Sequence, residues 1–195
     1  MQQTSFAASH STRMHSRLVR VSKFLSLVLR HQPGRIGVEL DEAGWVAIAD
    51  LLAACATHGF PITREELETV VRENDKRRFA LSEDGARIRA SQGHSVGVEL
   101  GYAPQAPPAV LYHGTAAHVV ASIREQGLLS GRRQHVHLSS DAATAARVGA
   151  RHGRPRVLEV ESARMHADGY EFYLSENGVW LTEHVPAKYL VFESD

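Results

Sequence analysis

Three prolines fall within five residues, at 104, 107 and 108. Proline fixes φ and lacks an amide donor, so "GYAPQAPPAV" neither coils nor pairs readily and reads as an extended linker over residues 102–109. A chain of 195 residues broken near its middle is expected to fold in two parts, 17–101 and 110–195. Residues 1–16 are polar and aperiodic and are expected to form a disordered tail.

In the N-terminal part Leu18, Val21, Leu25, Val28 and Leu29 recur at helical spacing. They stop before Gln32-Pro33-Gly34, because the residue before proline is pushed out of the helical region. Arg30 and His31 are then its last turn. "GWVAIADLLAACATHG" predicts a short extended lead and a second helix closed by Gly59. Thr63 stands three residues ahead of Glu66, a capping box that opens a third helix to about Glu73. From Phe79 the period turns from helical to alternating. Phe79 and Leu81 lie on one side of an Asp84-Gly85 turn and Ile88 on the other, a hairpin. Three helices and a hairpin is the element order of a winged helix, a fold used on nucleic acid and also as a protein adaptor.

The C-terminal part begins with "AVLYHGT", a strand, followed by "AAHVVASIREQGLL", a helix with a Gly127 cap. "QHVHLSS" is a strand, "DAATAARVGARHG" a helix opened by Asp141, and "RVLEVES" a strand. "YEFYLSENGVWLTEHV" reads as two strands around Glu176-Asn177-Gly178, and "YLVFE" as the last. The expected class is α+β, with a mostly β core in this second part.

Apolar residues make up 43% and charged residues 23%, an ordinary globular mixture, and the net charge is zero. Neutrality argues against coating long nucleic acid by sheer basicity, which relies on neutralising many phosphates, but leaves a short footprint open. Only Lys23, Lys76 and Lys188 are lysines, so 19 of the 22 basic residues are arginine, the side chain whose planar fork grips phosphate. No run approaches the ~18 apolar residues of a membrane span, and the first twenty residues lack the apolar core of a signal peptide. A cytoplasmic location is expected. Cys55 is alone in an apolar stretch and reads as a small buried hydrophobe.

Alternation along "GARIRASQGHS" puts Arg87 and Arg89 on one face and Ile88 toward the core. Two guanidinium groups on one face make either an anion site or a solvated hairpin face. Gln92-Gly93-His94 adds polar groups on a turn where glycine admits a ligand to the backbone. Arg30 and His31 at a helix end are equally explained by the helix dipole. His135 and His137 share a strand face, as a metal-binding pair would, with His113 a possible third ligand. Against metal, no carboxylate or cysteine stands at a clear ligand spacing. A Rossmann glycine fingerprint and a P-loop are both lacking.

Taken in order, "SKFLSLVLRHQPGRIGVELDEAGWV", "RIRASQGHS", "LYHGT", "QHVHLS" and "ENGVWLT" resemble the NAD-dependent RNA 2'-phosphotransferase (tRNA 2'-phosphotransferase) family, from about Leu18 to Phe192. The resemblance implies an N-terminal winged-helix lobe that holds RNA and a C-terminal lobe like that of ADP-ribosyltransferases, which bind NAD without a Rossmann fold. It implies a catalytic group of Arg30, His31, Arg89 and Arg133, chosen over Arg132 by its spacing from His135. NAD, a co-substrate, would be held by His113, Gly114, Thr115, His137, Ser139 and Val179. The RNA 2'-phosphate would be held by Arg30, Arg87, Arg89, Gln92 and His94. The histidine pair then belongs to a nucleotide pocket, and no metal is expected. Val179 stands where many ADP-ribosyltransferases carry glutamate, Ser91 where members of this family often have asparagine, and Gly131 where they often have methionine.

The implied reaction removes an internal RNA 2'-phosphate, left at a splice junction, in two steps through an ADP-ribosylated RNA phosphate. Its products are 2'-hydroxyl RNA, ADP-ribose 1'',2''-cyclic phosphate and nicotinamide. An already ionised phosphate needs no strong base in the first step, which makes Val179 tolerable. In the second, fixed guanidinium groups stabilise phosphoryl charge where other enzymes use Mg²⁺. The rival readings are an ADP-ribosyltransferase that caps a terminal phosphate of RNA or DNA and stops there, and a winged-helix regulator whose second lobe only senses NAD. A monomer acting on tRNA-like RNA, without a membrane, is expected.

Overall fold

The computed structural model describes residues 3–74 and 76–192, with residues 3–13 described by backbone alone. The chain divides between Leu100 and Gly101 into two compact units of mixed α and β structure.

The first unit opens with helix α1, Gln3–Arg30. Of the stretch 1–16 expected as a tail, residues 1 and 2 lie outside the described residues and the rest runs into α1. The apolar period from Leu18 marks a packed stretch of α1. Without glycine or proline before Pro33, nothing in the chain stops the helix from continuing outward. It ends where expected: the His31 and Gln32 amides both bond to Leu27 O, at 3.0 and 2.9 Å, and a single 3-10 turn follows at Pro33–Ile36.

Strand β1 (Val46–Ala47) leads into α2 (Ile48–Thr57), after which Gly59 turns back with φ +76°. Helix α3 (Arg64–Arg72) carries both halves of the capping box, the Glu66 amide to Thr63 Oγ1 and the Thr63 amide to Glu66 Oε2. Strands β2 (Phe79–Leu81) and β3 (Arg87–Ala90) form the hairpin, with Leu81 opposite Ile88. β1 joins the other edge of β3, giving the antiparallel order β1-β3-β2 with Val46 opposite Ile88. Val21, Leu25, Val28 and Leu29 of α1 meet Ile48, Leu51 and Cys55 of α2, Leu67 of α3 and Ile88 of β3 in one core. Burial pushes the Cys55 thiol up to about 11, as a small apolar group in this core requires.

The second unit starts with the proline-rich segment, which is held in place: the Gln105 amide bonds to Phe172 O at 2.8 Å and Ser162 Oγ to Pro108 O at 2.6 Å. The chain continues through β4 (Leu111–Ala116), α4 (Val120–Gln126), β5 (Leu128–Leu129), β6 (Val136–Leu138) and α5 (Ala142–Gly149). β7 (Pro155–Val160), α6 (Ser162–Ala167), β8 (Tyr173–Leu174), β9 (Trp180–Thr182), β10 (His184–Val185) and β11 (Leu190–Val191) complete it. The strands form small antiparallel sheets ordered β11-β7-β4, β6-β9-β8 and β10-β5. A bridge from Tyr112 to Ser139 ties β4 to the end of β6. β5 and α6 were not legible: β5 continues a stretch that reads as helix, and six residues leave little helical period to read.

Gly114 is what lets α5 sit down on β4. A Cβ at Gly114 would lie 1.7 Å from Ala145 O, and one at Gly149 would lie 2.7 Å from Thr115 O. Two glycines thus bring backbone against backbone. Among the described residues no helix is long and apolar enough to cross a membrane.

Candidate functional site

Two groups of the singled-out residues form clusters, one in each unit. In the first unit β3 delivers the arginines. Arg87 is exposed, and its Nη1 lies 3.4 Å from Asp41 Oδ2. Arg89, on the same face, is only 9% exposed. Trp45 covers it: the guanidinium carbon of Arg89 is 4.6 Å from the ring centroid and that of Arg87 is 5.6 Å from it. Arg89 Nη1 also donates to Leu100 O at 3.3 Å. A guanidinium over an indole face is attracted by the ring quadrupole, more strongly when desolvated.

Asp41 fixes the Trp45 turn by accepting from the Ala43 and Trp45 amides, at 3.0 and 2.8 Å. Sequence reasoning singled out neither Asp41 nor Trp45. The available signal was the tryptophan one residue before a strand, but only the register of β1 on β3 turns it into a cover for Arg89.

The segment after β3 folds back onto α1. The Ser95 amide bonds to Arg30 O at 2.9 Å, and Ser95 Oγ and His31 Nδ1 are hydrogen-bonded at 3.0 Å. Arg30 Nη2 donates to Arg78 O at 3.3 Å. Ser91, buried at 1% exposure, donates its hydroxyl to Arg77 O at 2.9 Å while its amide bonds to Arg78 O. Arg77 has φ +39°, the one positive φ outside glycine among the described residues, and Ser91 holds that strained turn. This gives Ser91 a definite structural task.

His94 sits among these groups with 2% of its surface exposed. Neither ring nitrogen has a hydrogen-bond partner, and neither has the buried Oε1 of Gln92. Burial, and then the cations Arg30, His31 and Arg89, lower its pKa to about 4, so the ring is neutral near pH 7. Three of the four residues implied to be catalytic therefore act on one imidazole.

In the second unit β4 and β6 present the histidines. His113 Nδ1 donates to His137 O at 3.1 Å. A carbonyl only accepts, so the proton of neutral His113 is on Nδ1 and its Nε2 is an acceptor. Burial lowers the His113 pKa first, the carbonyl contact raises it and Arg133 lowers it again. Arg133 Nη1 lies 3.0 Å from His137 Nδ1. Guanidinium only donates, so His137 carries its proton on Nε2.

Arg133 is exposed as a residue, yet desolvation still lowers its pKa. Arg132 is exposed, with no comparable contact to the histidines. His135 packs edge-on against Tyr173, with ring centroids 5.7 Å apart. Among the described residues no three His, Cys, Asp or Glu side chains converge as metal ligands would.

The other singled-out positions border this cluster. Thr115 is 8% exposed. Gly114 is committed to the α5 contact. Ser139 and Tyr112 exchange amide–carbonyl bonds of 2.8 and 2.9 Å. Val179 closes a turn in which its amide bonds to Ser175 Oγ, and it immediately precedes Trp180, the register partner of Leu138.

Comparison with known proteins bears on both clusters. The family model described as RNA 2'-phosphotransferase, Tpt1 / KptA family matches residues 16–184. A protein of Streptomyces coelicolor named "Probable RNA 2'-phosphotransferase" is 59% identical over 176 residues, 90% of this chain and 96% of that protein. A protein of the same name from Rhodopirellula baltica is 58% identical over 176 residues, again 90% and 96% of the two chains. One from Acaryochloris marina is 54% identical over 178 residues, 91% and 98%. The match spans both units and every residue of the two clusters, and the chain belongs to the RNA 2'-phosphotransferase, Tpt1 / KptA family.

Proposed function

We propose that this enzyme removes an internal 2'-phosphate from RNA by transferring it to NAD. The first unit, read as a winged helix, holds the RNA, and the second, read as an ADP-ribosyltransferase-like lobe, holds NAD. When bound, NAD supplies an electrophilic ribose carbon with nicotinamide as leaving group. A 2'-phosphate oxygen bonds to C1'' as the nicotinamide bond breaks. The ribose 2''-hydroxyl then bonds to phosphorus as the RNA 2'-oxygen leaves with a proton. The products are 2'-hydroxyl RNA, nicotinamide and ADP-ribose 1'',2''-cyclic phosphate.

The observation that carries this reading is the folding of the His94 segment onto Arg30 and His31 through Ser95, with the buried Arg89 acting on the same ring. A half-enclosed group of cations suits a doubly charged phosphate far better than a neutral ligand. Arg30 and Arg89 grip the 2'-phosphate, with Gln92 and His94 beside them. Arg87, held by Asp41 at 3.4 Å, serves at the rim. His31 is exposed, and its contact with Ser95 orients its ring. It moves the proton in the second step, for which an imidazole near neutrality is suited.

In the second unit His113, Gly114, Thr115, His137, Ser139 and Val179 line the NAD site. The donors and acceptors there fit a nucleotide: His113 offers an acceptor at Nε2, His137 a donor at Nε2, and Thr115 and Ser139 hydroxyls. Arg133 serves the transferring phosphoryl group, and its contact with His137 supports it over Arg132. Positioning and fixed charge supply the rate in this scheme. Cytoplasmic tRNA-like RNA and a monomeric enzyme remain part of the proposal.

The test is product analysis after mixing the protein with NAD and a short RNA bearing one internal 2'-phosphate. Cyclic ADP-ribose phosphate with dephosphorylated RNA is expected. A stable ADP-ribosylated RNA end would favour a terminal-phosphate ADP-ribosyltransferase, and intact NAD a regulator.

A further inference from the structure

An imidazole with 2% exposure and no partner at either nitrogen is costly, because each buried polar group without a hydrogen bond loses its hydration uncompensated. His94 is also walled in. The Cβ position at Gly44 is 3.5 Å from His94 Nε2, and Gly44, itself buried with φ +79°, keeps a side chain out of that place. The segment carrying His94 is tied down on both sides, by the Ser91 amide to Arg78 O before it and by the Ser95 amide to Arg30 O and the Glu99 amide to Glu42 O after it. The ring is therefore held in place rather than left to swing out to solvent.

The charged groups acting on it are Arg30 at the end of α1, His31 just after it and Arg89 from β3, all cationic or able to become so. Their sign matters. Beside them a proton on His94 is repelled, so the ring stays neutral while the site is vacant of anion. A doubly charged phosphate among the same groups reverses the local potential, and a proton on the ring is then attracted rather than repelled.

We propose that the first unit binds a phosphate dianion together with one proton, and that His94 is the group that takes the proton up. Resting on the reading of this site as the 2'-phosphate clamp, this gives the complex a positive charge that the free unit lacks. The proton comes from solvent and forms an N–H bond on His94, and no covalent bond of the phosphate changes. Grip is thereby coupled to charge: a phosphodiester, with one negative charge, draws the proton less strongly than the 2'-phosphomonoester beside it. That difference would help the site choose the branch phosphate over the RNA backbone.

The experiment is titration calorimetry of the full chain at pH 7.5, without NAD, in two buffers of different ionisation enthalpy. Two probes are used: a short RNA with one internal 2'-phosphate, and inorganic phosphate. Uptake of a large fraction of one proton per site is expected, falling to near zero in His94→Gln and persisting in His31→Gln. The same phosphate added to wild-type protein should move one buried histidine ring from its neutral to its imidazolium nitrogen resonance, a readout that holds even if His94→Gln folds poorly. Binding with no proton uptake, uptake that survives in His94→Gln, or uptake lost only in His31→Gln overturns the proposal. RNA binding without uptake sinks this inference and spares the RNA reading. Inorganic phosphate bound with uptake while the RNA fails to bind does the reverse, and failure of both probes removes both.

Discussion

The guanidinium of Arg89 lies 4.6 Å from the centroid of the Trp45 ring, and its charge acts on His94. The indole supplies a face against which a largely buried arginine is held in one orientation. A desolvated cation–π contact is worth about 2 kcal/mol, so Trp45→Leu should slow the transfer by roughly 10- to 30-fold. Trp45→Phe should recover part of that loss, because phenylalanine keeps a weaker quadrupole. Single-turnover rates of the two variants, set beside their thermal unfolding, separate loss of this contact from loss of the fold. Equal rates in Leu and Phe variants of equal stability would count against the ring face.

Arg89 itself is expected to matter most where phosphoryl charge builds up. Loss of a preorganised donor at such charge costs about 10²–10³ in rate. Arg89→Ala should therefore let ADP-ribosylated RNA accumulate, because the second step slows more than the first. Gel analysis of end-labelled RNA during one turnover shows this directly. Unchanged turnover with no accumulating intermediate would remove Arg89 from that role.

How far the sequence could be read depended on how local each cause was. The Thr63–Glu66 capping box, the Pro33 stop and the Asp84-Gly85 hairpin are set within a few residues, and all three were legible. Alternation correctly put Arg87 and Arg89 on one face. It could not say that Arg89 is buried, because its cover comes from Trp45, 44 positions earlier, through the β1–β3 register. His94 was legible as a polar residue on a turn, but its enclosure depends on bonds from Ser95 to Arg30 and from Glu99 to Glu42. The full length of α1 was not legible, because apolar period reports packing and not helix extent.

Gly114 has a packing task whatever it binds. Its missing Cβ is replaced by Ala145 O at 1.7 Å from the ideal position, with Gly149 N at 2.9 Å. Neither neighbour is a flexible side-chain end, so Gly114→Ala must push α5 off β4. Overpacking of this kind costs about 1–3 kcal/mol or more. A lowered urea midpoint is expected, together with loss of NAD-dependent protection from proteolysis. A variant with wild-type stability would show that α5 shifts freely.

Thr63→Ala tests the join between α3 and α1. Thr63 caps α3 through the Glu66 amide, and Glu66 also receives Arg17 Nε at 2.8 Å and Nη2 at 3.2 Å. Removing an N-cap oxygen costs about 1 kcal/mol, which chemical denaturation should detect. The Arg17 hydrogen bond, set against partial burial, holds the Glu66 carboxyl below its ordinary range. This part of the stability is present above the unfolded carboxyl's pKa and disappears as pH falls through the folded one. A Thr63→Ala variant of unchanged midpoint would mean that the Arg17 pair alone holds the helix start.

His94 makes the free protein sensitive to acid in a different window. In the unfolded chain a histidine takes up its proton near pH 6.5, whereas in the folded unit burial and then Arg30, His31 and Arg89 delay that to about 4. Between those values the unfolded state holds more protons, so acidification favours unfolding. The stabilisation is complete above pH 6.5 and drains away as pH falls to 4. At about 1.4 kcal/mol per tenfold change in proton affinity it amounts to about 3 kcal/mol. His113 and His135, also lowered chiefly by burial, act in the same sense. Wild-type unfolding free energy, measured by urea at a series of pH values, should decline across this window. His94→Gln should flatten much of that decline, and in the wild-type protein saturating inorganic phosphate should remove the His94 share of it, because a ring charged in the folded state holds its proton there as firmly as in the unfolded chain. A variant with the full wild-type slope would show that His94 is not held neutral in the resting protein.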